Sequence, residues 1–397
     1  MVEKRADLLE QKTARQKMLP ELDRTCLQSQ LSISQLHTIE ILVWLLQQQK
    51  QVRIERLAAS LPLPILFESR RRHLQRFLIL PQLSVALIWL PLIEEIVRTQ
   101  VKRGNKLIVT IDRTQWRTNN LFMVSVIWAK RAWPVYWQFI PHVGSSNLDQ
   151  QKAVLRPVLR LFKGYQVVVV GDREFHSVKL ADWLIEQKVY FALRQKKTTC
   201  IKLAGQDYQR LSQLGLAPGI KLFLPGISCT KEKGFGQFNL AAYWQKRSKN
   251  KALNEGWYIL TNLDSLAAAL NAYKARSGIE AMFKDCKSGG YNLEACKASQ
   301  ERLNRIVLLI AIAYTCAGLA GQKLKRQGQQ KYVNRLKEVG RVEPRHSNFW
   351  VGLYGQTWIA GLELCENLIQ ELMRIRPNKL PFYTRGLSAM NLIQQAF

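Results

Sequence analysis

The first hundred residues carry apolar side chains at the spacing of helices. Leucine, isoleucine and valine recur every three or four positions over residues 34–49, which predicts a helix with a buried face. Residues 54–78 predict a short helix, a proline-containing turn and a second helix with an arginine-rich face. The arginines are Arg70, Arg71, Arg72 and Arg76. A DNA-binding helix-turn-helix has this layout, as does an ordinary helical hairpin with a solvated face, and the turn favours neither.

The pattern changes after residue 105 to that of a mixed α/β domain. Apolar runs rich in β-branched and aromatic residues predict buried strands, and longer segments with helical periodicity separate them. The predicted order is a strand at 106–112, a hairpin of strands at 122–129 and 133–140, a helix at 148–162, a strand at 165–172, a helix at 177–188 and a strand at 189–195.

The second half of the chain returns to helices after a β-rich segment. Residues 196–265 contain short strand-like pieces among glycine, proline and lysine, which predicts a small insertion. A helix is predicted over 265–288, stopped by Gly289 and Gly290, and a buried helix over 301–321. The predicted boundaries are 1–104 for a helical N-terminal DNA-binding region, 105–195 and 266–325 for the two parts of an α/β core, 196–265 for the insertion and 326–397 for a helical C-terminal region.

The charge of the chain indicates a polyanionic partner. Lys and Arg number 59 against 29 Asp and Glu, so the net charge is +30. Nucleic acid is the commonest polyanion, and the cations are dispersed as on a surface that follows a long ligand. Seven cysteines without a C-x-x-C pair argue against a zinc site or a disulfide framework, so we expect reduced thiols and a cytoplasmic protein.

No membrane partner is expected from the sequence. The N-terminal segment lacks the apolar stretch of a secretory signal. The longest largely apolar run, residues 306–320, is shorter than the ~20 residues that a membrane-spanning helix requires. This run is therefore predicted to be a buried core helix.

Two of the predicted strands end in an acid. Asp112 follows LIVTI, and Asp172 follows VVVVG. Either aspartate alone is typical of a turn residue at the end of a strand. Together, in β-β-β-α-β order, they resemble a ribonuclease-H-like core, whose first and fourth strands carry aspartates. The predicted fold class is therefore α/β, with such a core (a mixed five-stranded sheet flanked by helices) interrupted by the β-rich insertion and flanked by helical terminal regions.

The helix predicted over 265–288 carries a third acid among cations. Tyr273, Arg276, Glu280 and Lys287 fit the pattern Y-x(2)-R-x(3)-E-x(6)-K. At ~100° per residue, these positions share a sector of about 60° on a continuous helix. A solvated charged face would show the same spacing, but apolar residues leave this helix another face to pack. An acid flanked by cations suits phosphate binding beside a metal ligand.

Three acids from separate segments suit the cleavage of a phosphodiester bond. Two Mg²⁺ ions, or Mn²⁺ in their place, can activate the attacking hydroxyl and stabilise the leaving oxygen, and such hard cations require carboxylate oxygens. The predicted metal ligands are Asp112, Asp172 and Glu280. The scattered histidines indicate no Ser-His-Asp arrangement. His176 is predicted to be structural, and Glu174 to orient a neighbour or lie at the surface.

Three segments resemble the catalytic segments of the DDE transposases of bacterial insertion sequences. They are IDRTQW at 111–116, VVVVGDREF at 167–175 and YKARSGIEAMFKDCKSGGYNLE at 273–294. The Y-R-E-K signature is that of the subgroup called the insertion-sequence-four family. The resemblance covers about residues 105–325, and its third segment is the most specific.

The resemblance implies a cut-and-paste transposase that cuts through a hairpin intermediate. The catalytic metal ligands would be Asp112, Asp172 and Glu280, and the contacts to DNA phosphates near the transposon end would be Tyr273, Arg276 and Lys287. The partners would be double-stranded DNA, as terminal inverted repeats and as target, bound by a homodimer. A tryptophan of the insertion would stack on a flipped base, and Trp244 and Trp257 are both candidates.

Two other functions fit part of the pattern. A catalytically inactive, DNA-binding remnant of a transposase would keep the basic surface, but decay would erode some of the acids and the Y-R-E-K residues, which are intact. A host nuclease of the ribonuclease H type would share the core but not the long insertion or the Y-R-E-K residues. The sequence therefore favours an active transposase.

Overall fold

The computed structural model describes residues 19–231, 235–246, 255–341 and 345–397, of which 21–24 as backbone alone. The chain forms two compact units. The helical unit comprises Met1–Leu92 with Asp285–Phe397, and the sheet unit comprises Ile93–Lys284. Residues 1–18 of the predicted N-terminal region lie outside the described ranges, and the five-segment division stays a prediction.

The N-terminal part of the helical unit consists of helices, as the apolar spacing predicts. The helix that begins at Ile33 starts with a capping box. Ser32 Oγ accepts from the Gln35 N–H, and Gln35 Oε1 accepts from the Ser32 N–H. The short helix, turn and second helix predicted over 54–78 are confirmed. The helices are α1 (Glu21–Gln28), α2 (Ile33–Gln49), α3 (Ile54–Ser60) and α4 (Phe67–Phe77), and a π-helical turn (Val85–Trp89) follows. The next helix, α5 (Leu90–Gln100), belongs to the sheet unit from Ile93 onward.

The fold is mixed α/β, with a mixed eight-stranded sheet in the sheet unit. Its elements are β1 (Lys106–Trp116), β2 (Asn119–Trp128), β3 (Arg131–Phe139), α6 (Leu148–Leu161), β4 (Gln166–Gly171), a 3₁₀ turn (Arg173–Phe175), α7 (Val178–Glu186), β5 (Tyr190–Arg194), β6 (Cys200–Ile201), β7 (Gln209–Arg210), a 3₁₀ turn (Leu211–Gln213), β8 (Lys221–Cys229), β9 (Gly236–Tyr243) and β10 (Trp257–Thr261). The strand order is β3-β2-β1-β4-β5-β10-β9-β8, with β6 and β7 paired separately. The predicted strands and helices between 106 and 195 are confirmed, with ends shifted by a few residues.

The segment predicted as a β-rich insertion extends the same sheet. β10 pairs antiparallel with β5, from Ile259 beside Arg194 to Thr261 beside Ala192, and β9 and β8 follow outward. The predicted strands are confirmed, but their membership of the main sheet was not predicted. Apolar periodicity reports which face of a strand is buried and not which strand lies beside it.

The helix predicted over 265–288 is interrupted at Arg276. It forms α8 (Leu266–Ala275) and α9 (Ser277–Cys286). Ser277 Oγ donates to the carbonyl of Lys274 at 3.1 Å, and the Arg276 N–H bonds to the carbonyl of Tyr273, only three residues back. The prediction of one continuous polar stripe from Tyr273 to Lys287 is therefore wrong, because the chain turns more tightly at Arg276 and the helix ends before Lys287.

The C-terminal part of the helical unit surrounds one long apolar helix. After a 3₁₀ turn (Leu293–Ala295), the helices are α10 (Gln300–Arg326), α11 (Gln330–Val333), α12 (Asn348–Leu364), α13 (Glu366–Ile375) and α14 (Leu380–Gln394), with a 3₁₀ turn (Pro377–Lys379) before the last. Among the described helices, α10 is the one long and apolar enough to cross a membrane. It packs against α12 and α2, and 83% of its most apolar window is buried, so the predicted core helix is confirmed.

Candidate active site

Asp112 and Asp172 lie at neighbouring positions, where β1 and β4 stop pairing. Their parallel register ends with Ile111 beside Gly171, so each aspartate is the next residue on its strand. β1 continues past Asp112 against β2, so this acid lies within a strand rather than at its predicted end. Because β1 and β4 run in parallel, the two carboxylates meet at one edge of their pairing.

The turn after β4 holds Asp172 through a close backbone approach. A Cβ on Gly171 would lie 2.9 Å from that of Phe175, so only glycine fits without a shift. The chain then turns, and Asp172 Oδ1 accepts from the backbone N–H of Glu174 at 2.8 Å. One oxygen of Asp172 is thereby engaged by its own turn.

Arg276 joins Asp112 to the third acid. Its Nη1 donates to Asp112 Oδ2 at 3.0 Å, and its Nη2 donates to Glu280 Oε1. The side chains of Arg276 and Asp112 are only 14% and 15% exposed, whereas that of Glu280 is 57% exposed. Glu280 lies in the first turn of α9, where the helix dipole favours a negative charge.

The start of α9 packs closely on the β2–β3 hairpin. A Cβ on Gly278 would lie 2.9 Å from Ile127 Cδ1 and 3.3 Å from the Ala132 backbone nitrogen. Further along the helix, the sulfur of Met282 accepts from Ser125 Oγ at 3.8 Å. These contacts hold the first turn of α9, which carries Glu280, against the strand beside β1.

Burial raises the pKa of Asp112 from 3.8 to about 6. The charge of Arg276 lowers this pKa, while the negative charges of Asp172 and Glu280 raise it. The cation therefore compensates only part of the cost of an ionised Asp112. The site would gain from further positive charge.

We expect Asp112→Asn to stabilise the fold at alkaline pH and not at acid pH. Since the folded pKa exceeds the unfolded one, protonated Asp112 contributes stability below about pH 4 that is lost as the pH rises through about 6. Asparagine removes this loss, about 3 kcal/mol in the free energy of unfolding at pH 8. Urea unfolding of both proteins at pH 8 and pH 4 checks it, and an equal difference at both values would contradict it.

A buried ion pair links the chain segments that follow the two aspartates. Arg113 Nε and Nη2 donate to the carboxylate of Glu174 at 2.7–2.9 Å, and both side chains are only 13% exposed. Glu174 Oε1 also accepts from the N–H and Oγ of Ser146, at 2.9 and 2.7 Å. Although burial raises the pKa of Glu174, these hydrogen bonds lower it overall. Glu174 is thus the orienting acid of the two predicted alternatives, and Arg113 is a partner that sequence reasoning missed.

Tyr273 lies in the core of the sheet unit. It is 4% exposed, and its ring centroid lies 5.1 Å from that of Trp257 in an edge-on contact. Burial raises its pKa, against the charges of Arg276 and Arg194 and a hydrogen bond with Arg194. Arg194 also donates to Glu255 at 2.9 Å. Arg194 was not predicted from the sequence. The feature that could have indicated it is its position at the end of β5, the strand next to β4.

The remaining predicted site residues are not part of this cluster. Lys287 belongs to the helical unit, where its Nζ lies 2.7 Å from Glu294 Oε1. Trp244 is half-buried after β9 in the sheet unit. His176 Nδ1 lies 2.8 Å from the Arg173 carbonyl, in keeping with a structural role. The predicted arginines Arg70, Arg71, Arg72 and Arg76 are all on α4, in the helical unit.

The donor set of the site fits a divalent metal ion in charge and chemistry. Asp112, Asp172 and Glu280 offer only carboxylate oxygens, which are the ligands that Mg²⁺ prefers. The negative charges of Asp172 and Glu280 also destabilise the ionised form of Asp112, and a bound cation would offset this repulsion. Within the described ranges, no three metal-ligating side chains converge as they stand. The guanidinium of Arg276 bonds to both Asp112 and Glu280.

Comparisons with known proteins find a family match and similar solved structures. Residues 144–316 match the family described as the transposase DDE domain. This stretch includes Asp172 and Glu280, and Asp112 precedes it. Among solved structures, the cryo-EM structure of a piggyBac transposase synaptic complex with hairpin DNA is similar, with 14% identity and a TM-score of 0.40 over 81% of this chain and 70% of that chain. No curated protein matches the sequence.

The family match covers part of the site. The matched residues contain β4 with Asp172 and α9 with Glu280, the two elements that carry acids of the cluster around Arg276. Residues 144–316 are therefore similar to a transposase DDE domain.

Proposed function

We propose that this enzyme cuts DNA at the ends of a mobile element and joins the freed 3′ ends to target DNA, with Asp112, Asp172 and Glu280 as the catalytic acids. One observation carries the proposal. Asp112 and Asp172 occupy adjacent positions beyond the last β1–β4 pair, and Arg276 bonds to both Asp112 and Glu280. Three chain segments that are distant in sequence thus place their acids close together, and no interaction between sequence neighbours requires this arrangement.

The proposal includes a ribonuclease-H-like core. The strands from β1 to β5 lie in the order β3-β2-β1-β4-β5, with β2 antiparallel to β1 and with β1, β4 and β5 parallel. α6 leads from β3 into β4, and α7 connects the parallel strands β4 and β5. This arrangement, with aspartates on the first and fourth strands, supports the prediction made from the order of elements.

The proposed cofactor is a pair of Mg²⁺ ions, which Mn²⁺ could replace, held by Asp112, Asp172 and Glu280. When bound, they would supply activation of the attacking oxygen and charge stabilisation at the leaving oxygen. The residues of the chain prepare the site. Asp172 Oδ1 accepts from the backbone N–H of Glu174, and Asp112 pairs with Arg276. Glu280 is more than half exposed at the start of α9.

Arg276 is proposed to change partners when DNA binds. Its two Nη atoms now bond to carboxylates, and a guanidinium with several donors can pair instead with the oxygens of a phosphate. Release of Glu280 from Arg276 would free that carboxylate for the metal. Tyr273 would support Arg276 from the core side, and Lys287 would give a further phosphate contact, as in the Y-R-E-K subgroup that the sequence resembles.

The proposed partner is double-stranded DNA, as terminal inverted repeats and as target, bound by a homodimer and cut through a hairpin intermediate. The net charge of +30 supports a polyanionic partner, and the arginines of α4 offer a basic helix. Trp244 and Trp257 are both candidates for stacking on a flipped base. The ring of Trp257 contacts those of Tyr243 and Tyr273.

Cleavage of the DNA that flanks the coding sequence tests this function. The protein is mixed with a labelled duplex carrying the flanking inverted repeats, with or without Mg²⁺, and the products are resolved on a denaturing gel. We expect nicks or hairpins at the repeat ends that require metal and disappear in Glu280→Gln. Glu186→Gln, which alters an exposed glutamate of the same unit, is the matched control and should cleave normally.

Other outcomes of this experiment favour other functions. Binding of the repeats without any metal-dependent product would favour the inactive DNA-binding remnant. Cleavage of RNA–DNA hybrids with no effect on the repeats would favour a nuclease of the ribonuclease H type. Normal cleavage by Glu280→Gln would exclude Glu280 from the catalytic set.

A further inference from the structure

The helical unit contains a basic cavity that the proposed catalytic site does not use. It measures about 420 Å³ and lies where the start of α3, Gln75 of α4 and the chain entering α10 meet. Four cations line it: Arg53, Arg56, Lys297 and Arg302. Glu55 is the one acid among its lining residues, so the lining carries a net charge of about +3.

These cations are not engaged in neutralising acids. Across the ranges that the structure describes, none of the four forms an ion pair, although Glu55 lines the same cavity. Arg53, Arg56 and Lys297 are exposed. Arg302 is half-buried, and its Nε donates to the backbone carbonyl of Gln75 at 3.4 Å, which leaves the rest of its guanidinium available.

The cations of the cavity lie at the N-terminal end of α10, where positive charge destabilises a helix. α10 is 27 residues long and starts at this cavity, and its N-cap, Ser299, makes no side-chain capping hydrogen bond. The first N–H groups of a helix carry partial positive charge, so lysine and arginine placed beside them destabilise it. Glu301, the acid of the first turn, lies 3.9 Å from Arg305 and does not line the cavity. A bound anion would reverse this unfavourable arrangement.

We propose that this cavity binds a backbone phosphate of double-stranded DNA. The inference rests on the proposed function for the identity of the anion. The basic surface continues from the cavity along α4, because Gln75 lies next to Arg76 and one helical turn from Arg71 and Arg72. A phosphate held in the cavity would place the following phosphates of the same strand near those arginines. The contact would add affinity without base preference.

Ser299→Asp separates a phosphate site from a structural role. An aspartate at this N-cap would accept hydrogen bonds from the first N–H groups of α10 and add one negative charge to the cavity. We expect the melting temperature to rise or stay unchanged, while the affinity for duplex DNA falls about tenfold at moderate salt. Ser32→Asp is the matched control, since it adds the same charge at an exposed N-cap of the same unit, and it should bind DNA like wild type.

A second variant keeps the proposal testable if Ser299→Asp folds poorly. Arg53→Gln combined with Lys297→Gln alters only exposed side chains. By fluorescence anisotropy of a labelled duplex over a series of NaCl concentrations, the slope of log affinity against log salt should fall by about 1 for each cation removed. A slope and affinity equal to wild type in both variants would overturn the proposal.

The failure of this proposal is distinct from that of the proposed function. If wild type cleaves inverted repeats and the cavity variants bind and cleave as it does, the cavity proposal alone is overturned. If wild type binds no duplex, the DNA ligand and the proposed function both fall. Melting in sodium phosphate against NaCl of equal ionic strength then shows whether inorganic phosphate alone binds, as a rise in wild type that Ser299→Asp lacks.

Discussion

Asp172→Asn is expected to lower the rate of DNA cleavage by at least about a thousandfold and to leave DNA affinity nearly unchanged. Asparagine has the same shape, and its Oδ1 can still accept from the Glu174 N–H, so the turn after β4 is kept. Only the negative charge is lost, and with it the attraction for a divalent cation. Single-turnover cleavage of an inverted-repeat duplex in Mg²⁺, with binding measured without metal, checks both parts.

The control for this prediction is an acid of the same unit outside the site. Asp264 is exposed in the turn between β10 and α8, and Asp264→Asn changes the net charge equally. It should cleave and bind like wild type. Cleavage within tenfold of wild type in Asp172→Asn would remove Asp172 from the catalytic set, and a matching loss in Asp264→Asn would indicate a general effect of charge.

Glu174→Gln is expected to lower the free energy of unfolding by about 3 kcal/mol. Glutamine keeps the size of the side chain but leaves the guanidinium of Arg113 buried without a counter-charge. It also weakens the two hydrogen bonds that Glu174 accepts from Ser146. Chemical denaturation at pH 7.5, followed by tryptophan fluorescence, measures the change.

A surface pair in the same unit supplies the matched comparison. Glu95 pairs with Arg98, whose side chain is 58% exposed, within one turn of α5. Glu95→Gln should cost less than about 1 kcal/mol, because water screens exposed ion pairs. Equal costs for Glu95→Gln and Glu174→Gln would show that burial does not set the strength of the Arg113–Glu174 pair. In that case the pair would not hold the two catalytic segments together.

Local sequence predicted the elements of the core well. Four consecutive valines before Gly171 favour a buried strand whatever surrounds them, and all four are nearly inaccessible in β4. The same holds for α2, whose apolar spacing and Ser32 capping box are contained within the segment itself. Predictions of this kind succeed because the interactions that decide them lie within a few residues along the chain.

Predictions that depended on regularity over a longer stretch were less accurate. The Y-R-E-K residues were placed on one face by assuming an unbroken helix, and the chain turns at Arg276 instead. The signals were present in Ser277 and Gly278, a residue that competes for backbone hydrogen bonds followed by a weak helix former. The decisive factor was nonlocal, because α9 starts where Gly278 meets the β2–β3 hairpin.

The sequence by itself determined which residues could do the chemistry and which segments carry them. Asp112 and Asp172 end apolar runs, and Glu280 stands among cations, so the three acids were identifiable from residue type and spacing. Only the tertiary structure decided how they are held. Arg276 reaches Asp112 from 164 residues away in sequence, and Arg113 reaches Glu174 from 61. Such pairs form because burial removes water from each charge and makes an opposite charge the favourable partner, and burial is a property of the assembled sheet rather than of any segment.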